Sequence, residues 1–431
     1  MFSRRSILAA SSAGVLGMGA AACGASSSTD DTPVDLSGDA AELSGEITLL
    51  TPDFTSDART VLDDDIIGAF TEQHPDVTVT VDAAAWDKLN EKLTASIAGG
   101  VVADVIMTGV GWTQPFAQKG LFAELPTDDV EALGFEESVL KSGLYEDGYY
   151  SIPQAMDLRF MTYHPELFEA KGITEPPKTL EELAQVATEL TGDGVIGIDL
   201  LSQNIRQAWI FLLYAFGGTL FSEDGLTPAL HEEPGRQATQ WILDLMASGA
   251  TSYDLQVAEG QPSLFQQKKV AMAITSTGNW TSWVDMTPEL TEEGAIGMFL
   301  MPPGGTATEP VMYQGGTLIS ISKKSRNQQA AAAFAKHMLS PEMLAIGNAA
   351  NGKVPPTVDI PTTPGIDGSV LARFGLDSLA YAGAAEGGTP AWMEIRGNLQ
   401  PLIESCLTGK TTVDQMLADM KSLCDDAISR I

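Results

Sequence analysis

The stretch Glu46-Ile-Thr-Leu-Leu-Thr51, followed by an amphipathic segment and then by Val77-Thr-Val-Thr-Val81, decides the fold class. Both runs have the short apolar or alternating pattern of a strand with a buried face. Between them, Val61, Ile66 and Phe70 recur at the spacing of a helix with one apolar side. A strand, a helix and a second strand in this order predict an α/β protein.

The same alternation continues outward from this stretch to the end of the chain. Further strands are predicted at residues 103–107, 150–153, 160–163, 270–274 and 318–321. Further helices are predicted at residues 88–98, 114–119, 180–190, 206–216, 236–247, 328–339 and 399–407. A length of 431 residues favours two domains over one.

The charge balance and the rarity of histidine and cysteine exclude several classes of function. With 24 Lys and Arg against 57 Asp and Glu, the formal net charge is −33, which repels nucleic acids and anionic lipid headgroups. The four His and three Cys form no paired zinc-binding motif. We therefore expect no nucleic-acid partner, no metal and no cofactor.

The N-terminus has the layout of an export signal. Residues 1–22 contain no acidic residue, and Arg4 and Arg5 precede an apolar run that is too short for a membrane span. The run Ser3-Arg4-Arg5-Ser6-Ile7-Leu8 resembles a twin-arginine motif, although Sec export stays open. The small residues before Cys23 resemble a bacterial lipobox, in which Cys23 is lipidated. Residues 23–44 then predict a flexible tether, so we expect an extracytoplasmic protein anchored to the outer face of the bacterial cytoplasmic membrane.

An ordered set of segments from Gly45 to the C-terminus resembles the extracellular solute-binding proteins of ABC importers, in the carbohydrate-binding family that includes maltose-binding protein. The segments that carry the resemblance are Phe70-Thr-Glu-Gln-His-Pro75, Ala103-Asp104-Val-Ile, Ala117-Gln-Lys-Gly120, Tyr150-Ser-Ile-Pro153, Tyr163-His164-Pro-Glu-Leu-Phe168, Pro176-Pro177-Lys-Thr179-Leu, Ala271-Met-Ala-Ile274, Gly278-Asn279-Trp280, Gly315-Gly316 and Thr408-Gly409-Lys. The family pattern has Tyr-Asn where this chain has Tyr163-His164.

This resemblance implies a two-lobed periplasmic-binding-protein fold, in which each lobe is a central sheet flanked by helices and a hinge joins the lobes. We expect residues 45–156 and 315–357 to form lobe 1, and residues 157–314 and 358–431 to form lobe 2. The implied function is that of a monomeric, non-enzymatic lipoprotein that captures a carbohydrate between its lobes and delivers it to the permease of an ABC transporter.

Two other functions agree with the same residues. A secreted glycoside hydrolase would also combine Trp with carboxylates, and it needs two carboxylates about 5–10 Å apart. Alternatively, the same fold would bind a non-sugar or charged solute. Arg159, Arg206 and Arg396 suit an anionic sugar, whereas Asp53 and Asp157 suit a cation such as a polyamine or a peptide.

Four candidate ligand-binding residues follow from position in the predicted elements. Asp53 follows the first strand, although an aspartate there also suits a turn. Trp112 follows the strand at residues 103–107, Trp280 follows the strand at residues 270–274, and Trp86 opens a helix. Ligands of open α/β sheets bind beyond the carboxyl ends of strands, and indole rings stack on the apolar faces of sugars.

The resemblance adds further candidates, since family contact regions align with them. The residues are Asp157, Arg206, Gln207, Trp209, Trp280, Trp392 and Arg396. Trp392 and Arg396 are four residues apart, which places them on one face of a helix. Gly315 and Gly316 would either let the backbone approach a ligand or form part of the hinge.

Two cysteines remain after Cys23. Cys406 lies just before a predicted turn, and Cys424 lies well into the following helix. Because Cys424 would lie roughly 18 Å from the turn of an antiparallel hairpin, too far to bridge to Cys406, we predict two free, buried thiols.

Overall fold

The structure is a computed structural model that describes residues 34–36 and 42–431. The predicted signal at residues 1–22 and the predicted lipidation site Cys23 lie outside these residues. Among the described residues, none of the helices combines the length and the apolar character that a bilayer span needs.

The described chain alternates strands and helices, as predicted. The strands are β1 (Gly45–Pro52), β2 (Val77–Ala84), β3 (Val105–Gly109), β4 (Leu144–Tyr145), β5 (Gly148–Tyr149), β6 (Ile152–Tyr163), β7 (Ile196–Asp199), β8 (Val270–Ser276), β9 (Gly297–Phe299), β10 (Tyr313–Ile321) and β11 (Ala384–Ala385).

The helices range from one turn to four turns. They are α1 (Ser56–Thr60), α2 (Gly68–Gln73), α3 (Trp86–Gly99), α4 (Thr113–Gln118), α5 (Thr127–Glu131), α6 (Glu137–Leu140), α7 (Pro165–Ala170), α8 (Leu180–Leu190), α9 (Ile205–Ala215), α10 (Glu233–Ser248), α11 (Asn279–Met286), α12 (Gln328–Met338), α13 (Pro341–Ala350), α14 (Pro364–Asp367), α15 (Val370–Asp377), α16 (Trp392–Leu407) and α17 (Val413–Ile428). A π-helical segment, Val61–Ile67, joins α1 to α2.

The principal sheet has the strand order β2-β1-β3-β10-β6-β8-β7, with β11 paired to β10 and β9 paired to β6. Strand β1 runs parallel to β2 and β3, and β7 runs parallel to β8. Strand β10 is antiparallel to both β3 and β6, and β6 is antiparallel to β8. Two parallel portions are thus joined through an antiparallel centre.

Helices cover both faces of each portion of the sheet. In β1, Leu49 packs in the core formed with α2, α12 and α13, whereas the next residue, Leu50, packs with α3 and α4. In β6, Met161 packs with α8, α9 and α16, whereas Phe160 packs with α15. Because successive side chains of a strand point to opposite faces, strands covered on both faces are apolar throughout.

The two central strands cross from one portion of the sheet to the other. The strands predicted at residues 150–153 and 160–163 are one continuous strand, β6, which pairs with β10 along its first part and with β8 along its second. Asp157 of β6 lies opposite Gly315 of β10, and Met156 exchanges two backbone hydrogen bonds with Val354. Asp157, Gly315 and Val354, which are far apart in the sequence, therefore lie side by side in space.

Part of the predicted tether is packed against the body of the protein, which corrects that prediction. Val34, Leu36 and Leu43 are buried in the same core as β1 and β3. The Val34 backbone N–H donates to the Glu124 carbonyl at 2.9 Å, and the Leu36 N–H donates to an Asp129 carboxylate oxygen at 3.1 Å. These apolar side chains remove surface from water, which offsets the entropy lost in ordering the segment.

The prediction for the two C-terminal cysteines is confirmed. Cys406 of α16 and Cys424 of α17 are both free and buried. Burial raises the pKa of the Cys424 thiol to about 12, and burial also raises the pKa of Cys406. Both thiols are therefore protonated, apolar members of the core in which these helices pack.

Candidate binding site

A cavity of about 650 Å³ lies where the carboxyl ends of β1 and β3 meet the middle of β6 and β10. Its volume falls in the range of small-molecule sites in proteins. Most of the candidate residues predicted from the sequence line it, namely Asp53, Trp86, Trp112, Asp157, Arg206, Gln207, Gly315, Gly316 and Arg396. Of the residues predicted from their position after a strand, Asp53 and Trp112 lie at this cavity, whereas Trp280 does not.

Two tryptophans form the aromatic part of the wall. Trp86, the first residue of α3, keeps 47% of its surface exposed, whereas Trp112 is 2% exposed. Their ring centroids are 6.4 Å apart in an edge-to-face arrangement. At Gly109 an added Cβ would lie 3.2 Å from Trp112 Nε1 and 3.4 Å from Trp86, so the glycine makes room for both indoles. Trp86 thus presents an open face, and Trp112 supports it from the core.

Asp157 occupies the centre of an ion cluster on β6. Its carboxylate lies 2.9 Å from Lys353 Nζ and 3.8 Å from Arg159 Nη2, and it accepts the Gly278 N–H at 3.4 Å. Burial opposes ionisation of this carboxyl group, but Lys353 and Arg159 outweigh burial and hold the pKa of Asp157 at about 2. Asp157 is therefore ionised, and it joins β6 to two other segments.

A second buried cluster surrounds Glu386, which follows β11. One carboxylate oxygen accepts hydrogen bonds from Arg206 Nη2 at 2.7 Å and Nε at 3.0 Å, and the other lies 3.5 Å from Arg396 Nε. Burial, and then the negative charge of Glu386, raise the pKa of Tyr313 well above its usual value. Burial also lowers the pKa of Arg396, an effect that Glu386 opposes.

Several polar atoms at the cavity have no hydrogen-bond partner among the described residues. They are Nε of Arg159, Nε of Arg396 and Oε1 of Gln207, all inaccessible at the atomic level. Arg159 lies over the Tyr313 ring at 5.8 Å, and Arg396 lies over the Trp112 ring at 5.4 Å. The aromatic rings hold the planar guanidinium groups in place, and the N–H donors of each group lie along its edges, in the plane of the group.

The backbones of β10 and β6 approach each other so closely at position 316 that a glycine is required there. The φ of Gly316 is +125°, and an added Cβ would lie 2.0 Å from the Ala155 carbonyl oxygen of β6. An added Cβ at Gly315 would meet its nearest atom, the Asp157 carbonyl oxygen, at 3.3 Å. The register of β10 against β6 shifts between Thr317 and Leu318. This glycine pair therefore serves the strand crossing as well as the cavity wall.

Three predicted tryptophans do not reach the cavity. Trp209 and Trp392 are fully buried, which corrects the prediction that they contact a ligand. Trp209 donates from Nε1 to Thr239 Oγ1 at 2.8 Å, and Trp392 packs edge-to-face on Phe221. Trp280 is half-buried against the core that contains α15 and does not line the cavity.

Helix geometry explains why Trp392 and Arg396 separate. On α16 the apolar residues Trp392 and Ile395 point into the core, and the cavity is lined by Met393, Arg396 and Gly397. The face of α16 that lines the cavity therefore contains residues 393, 396 and 397, which are three and four positions apart. Arg396 therefore lines the cavity, whereas Trp392 lies on the face of α16 that packs in the core.

Sequence reasoning missed three residues that organise the site. Tyr313 lies two residues before Gly315 in β10, and that spacing, which places both on one face of a strand, was an available signal. Lys353 and Glu386 lie in irregular segments with no pattern around them. Their contribution depends on tertiary contacts with Asp157 and Arg206.

Among the described residues, no group of three or more His, Cys, Asp or Glu side chains has the arrangement of a metal site. Six charged side chains of the lining instead form two clusters, one around Asp157 and one around Glu386.

A model of the bacterial extracellular solute-binding protein family matches residues 55–345, which is more than half of the chain. The chain belongs to this family. The resemblance read from the ordered segments is thereby confirmed, and the members of the family act outside the cytoplasm.

Two curated relatives of this chain are named as binding proteins. A putative binding protein of Brucella abortus is 26% identical over 272 residues, which are 61% of this chain and 64% of the relative. The chain thus matches somewhat less than two thirds of that protein's length. The diacetylchitobiose binding protein DasA of Streptomyces coelicolor is 24% identical over 346 residues, covering 76% of this chain and 78% of DasA.

Solved structures with a similar fold include that of the receptor GacH. The GacH receptor of Streptomyces glaucescens, described unliganded and in complex with acarbose, superposes with a TM-score of 0.73 at 23% identity. The match covers 90% of this chain and 99% of GacH. The two-lobed periplasmic-binding-protein fold, with sheets flanked by helices, is therefore confirmed.

Proposed function

We propose that the protein is the substrate-binding component of an ABC importer and that it captures a carbohydrate in the 650 Å³ cavity. The proposal rests on one observation. The exposed face of Trp86 and the two ion clusters, around Asp157 and around Glu386, line the same cavity. Sugars present apolar faces to indole rings and hydroxyl groups to charged hydrogen-bonding side chains. Diacetylchitobiose and acarbose are the compounds named with DasA and GacH.

Capture is proposed to occur by closure of two lobes about the strand crossing. Residues 45–156 with 315–357 form one lobe, and residues 157–314 with 358–431 form the other. Supporting this division, Asp157 pairs with Gly315, and Met156 pairs with Val354 beside them. Hinge closure around ligands is a motion known for periplasmic binding proteins, and the ligand drives it by contacting both lobes.

Delivery to a membrane permease and anchoring through Cys23 complete the proposal. The family match supports work outside the cytoplasm, and Cys23 stands after the predicted export signal. Residues 34–36 are packed on the body of the protein, and the residues between Cys23 and this segment lie outside those that the structure describes.

The structure also bears on the hydrolase alternative. A glycosidase needs one carboxylic acid that holds a proton near neutral pH. The pKa of Asp157 is about 2, since Lys353 and Arg159 outweigh its burial, so this carboxyl group is not such an acid. Family relatives are binding proteins, which accords with a protein that releases its solute unchanged.

Isothermal titration calorimetry and thermal unfolding with a panel of neutral and charged saccharides, amino acids and polyamines test this function. A bound solute raises the unfolding midpoint because it stabilises only the folded state. Saccharide binding that Trp86→Ala weakens is the expected result. Binding of amino acids or polyamines without any saccharide would contradict the proposal, and turnover of a chromogenic glycoside would favour the hydrolase.

A further inference from the structure

The buried wall of the cavity carries more positive than negative charge. Arg159, Arg206, Lys353 and Arg396 surround only two carboxylates, that of the partly buried Asp157 and that of the buried Glu386. All six side chains expose 27% or less of their surface. The remaining acidic groups of the lining, Asp53 and Asp87, are exposed.

This surplus is opposite in sign to the chain as a whole. The protein has 57 acidic and 24 basic residues, and the cavity lining has four of each, yet four of the six least exposed charged side chains of that lining are basic. Holding unmatched charge away from water is costly, so a wall of this kind is stabilised when a ligand supplies the missing negative charge.

The four cations are not equally engaged. Lys353 and Arg206 lie within 2.9 Å of their carboxylate partners. Arg159 Nη2 is 3.8 Å from Asp157, and Arg396 Nε is 3.5 Å from Glu386. In both of these arginines the Nε atom is enclosed and has no hydrogen-bond partner among the described residues, so the donors that can face a ligand are those of the terminal Nη groups. Arg159 and Arg396 are therefore the two cations with donors left to offer.

Aromatic rings hold both of these guanidinium groups beside the cavity. Arg159 lies over Tyr313, Arg396 lies over Trp112, and all four residues line the cavity. A guanidinium that stacks on a ring keeps its N–H donors in the plane of the group, where a carboxylate is bound in a fork-to-fork manner. Side chains fixed in advance also lose little rotamer entropy when a ligand binds.

We propose that the ligand is an acidic saccharide, a sugar or short oligosaccharide that carries carboxylate groups, and that Arg159 and Arg396 bind those carboxylates. Trp86 covers the apolar face of a sugar ring in the same complex. This inference depends on the proposed carbohydrate function and narrows its substrate class from sugars in general to sugar acids.

The test is calorimetric titration of the protein with matched oligosaccharide pools. One set comprises partial hydrolysates of polygalacturonate, alginate and glucuronoxylan, and the other comprises neutral galactan, mannan and xylan hydrolysates of the same length. We expect the acidic pools to bind and the neutral pools to bind at least about tenfold more weakly, as for hydrogen bonds to charged groups. Affinity for the acidic pool should fall as ionic strength rises.

The outcomes separate the inference from the proposed function. Binding of neutral pools equal to or tighter than that of acidic pools overturns the acidic-ligand inference and leaves the carbohydrate function standing. Binding of no saccharide pool overturns both. Equal binding of inorganic sulfate or phosphate also overturns the inference, because the site would then be a general anion site.

Variants assign the interaction to the two arginines. Arg396→Gln and Arg159→Gln should each weaken acidic-pool binding about tenfold or more, whereas Arg396→Lys should lose less because it keeps the charge. Arg373→Gln, at an exposed arginine of α15 outside the cavity, is the matched control. If the Arg→Gln variants do not fold, the binding of the acidic pool by Arg396→Lys tests the assignment in their place. Undiminished acidic-pool binding by folded Arg159→Gln and Arg396→Gln contradicts the assignment.

Discussion

A single carboxylate oxygen of Glu386 accepts hydrogen bonds from both Nη2 and Nε of Arg206, at 2.7 Å and 3.0 Å. The two residues are 180 positions apart in the chain, and both side chains are almost fully buried. The pair joins the first turn of α9 to the segment after β11, and it positions the polar wall of the cavity.

Removing Glu386 should therefore cost both stability and binding. Glu386→Ala leaves Arg206 and Arg396 as unmatched buried charges, and loss of one partner of a buried pair costs about 3–5 kcal/mol. Denaturant unfolding followed by circular dichroism measures the free energy of unfolding. Glu175→Ala, which breaks an exposed pair with Lys178, is the control and should leave unfolding unchanged. Equal stability of Glu386→Ala and the unmutated protein would contradict the role assigned to this pair.

Asp157 should make stability depend on pH in the acid range. Its pKa is about 2 in the folded protein and 3.8 ordinarily, so the folded state favours the ionised form. This contribution, about 2 kcal/mol, is fully present above pH 4 and is lost as pH falls from about 4 to 2. Unfolding free energies measured at several pH values should show that slope, and Asp157→Asn should lose it. An unchanged slope in the variant would assign the acid sensitivity to other groups.

Trp86 should contribute to binding without contributing much to stability. Its side chain is 47% exposed, so Trp86→Ala leaves no buried cavity, and we expect saccharide affinity to fall about tenfold as the stacking surface is lost. Trp392→Ala is the contrasting variant, because this fully buried residue should cost about 3–5 kcal/mol of stability. Calorimetric titration and thermal unfolding of the two variants check the contrast. Trp86→Ala with unchanged affinity would remove Trp86 from the site.

The two adjacent glycines of β10 should respond differently to the same substitution. Gly316→Ala forces a side chain into a positive-φ position and against the Ala155 carbonyl oxygen, which should cost about 1–3 kcal/mol or more. Gly315→Ala meets its nearest atom at 3.3 Å and should be tolerated with a smaller loss. The thermal unfolding midpoints of the two variants measure the difference. Similar midpoints would show that the strand crossing accommodates a Cβ at both positions.

The sequence by itself was sufficient for the architecture and for the edge of the sheet at which the cavity lies. Hydrophobic periodicity is a local property, so β1, β2 and α8 were predicted close to their observed bounds. Asp53 and Trp112 were found because they follow strands whose carboxyl ends meet at one edge. The ordered family segments predicted the two-lobed fold that the comparisons confirm.

Only the tertiary structure decided which polar and aromatic side chains share the cavity. Lys353 and Glu386 lie in segments without periodicity, and their place follows from contacts with residues far away in the chain. Trp209 and Trp392 are of a residue type common in sugar-binding sites, but both are buried. On α16, where each residue turns the helix by 100°, Trp392 points into the core and its neighbour Met393 lines the cavity. Local sequence patterns determine the elements, whereas the charge and the shape of the site arise where distant elements meet.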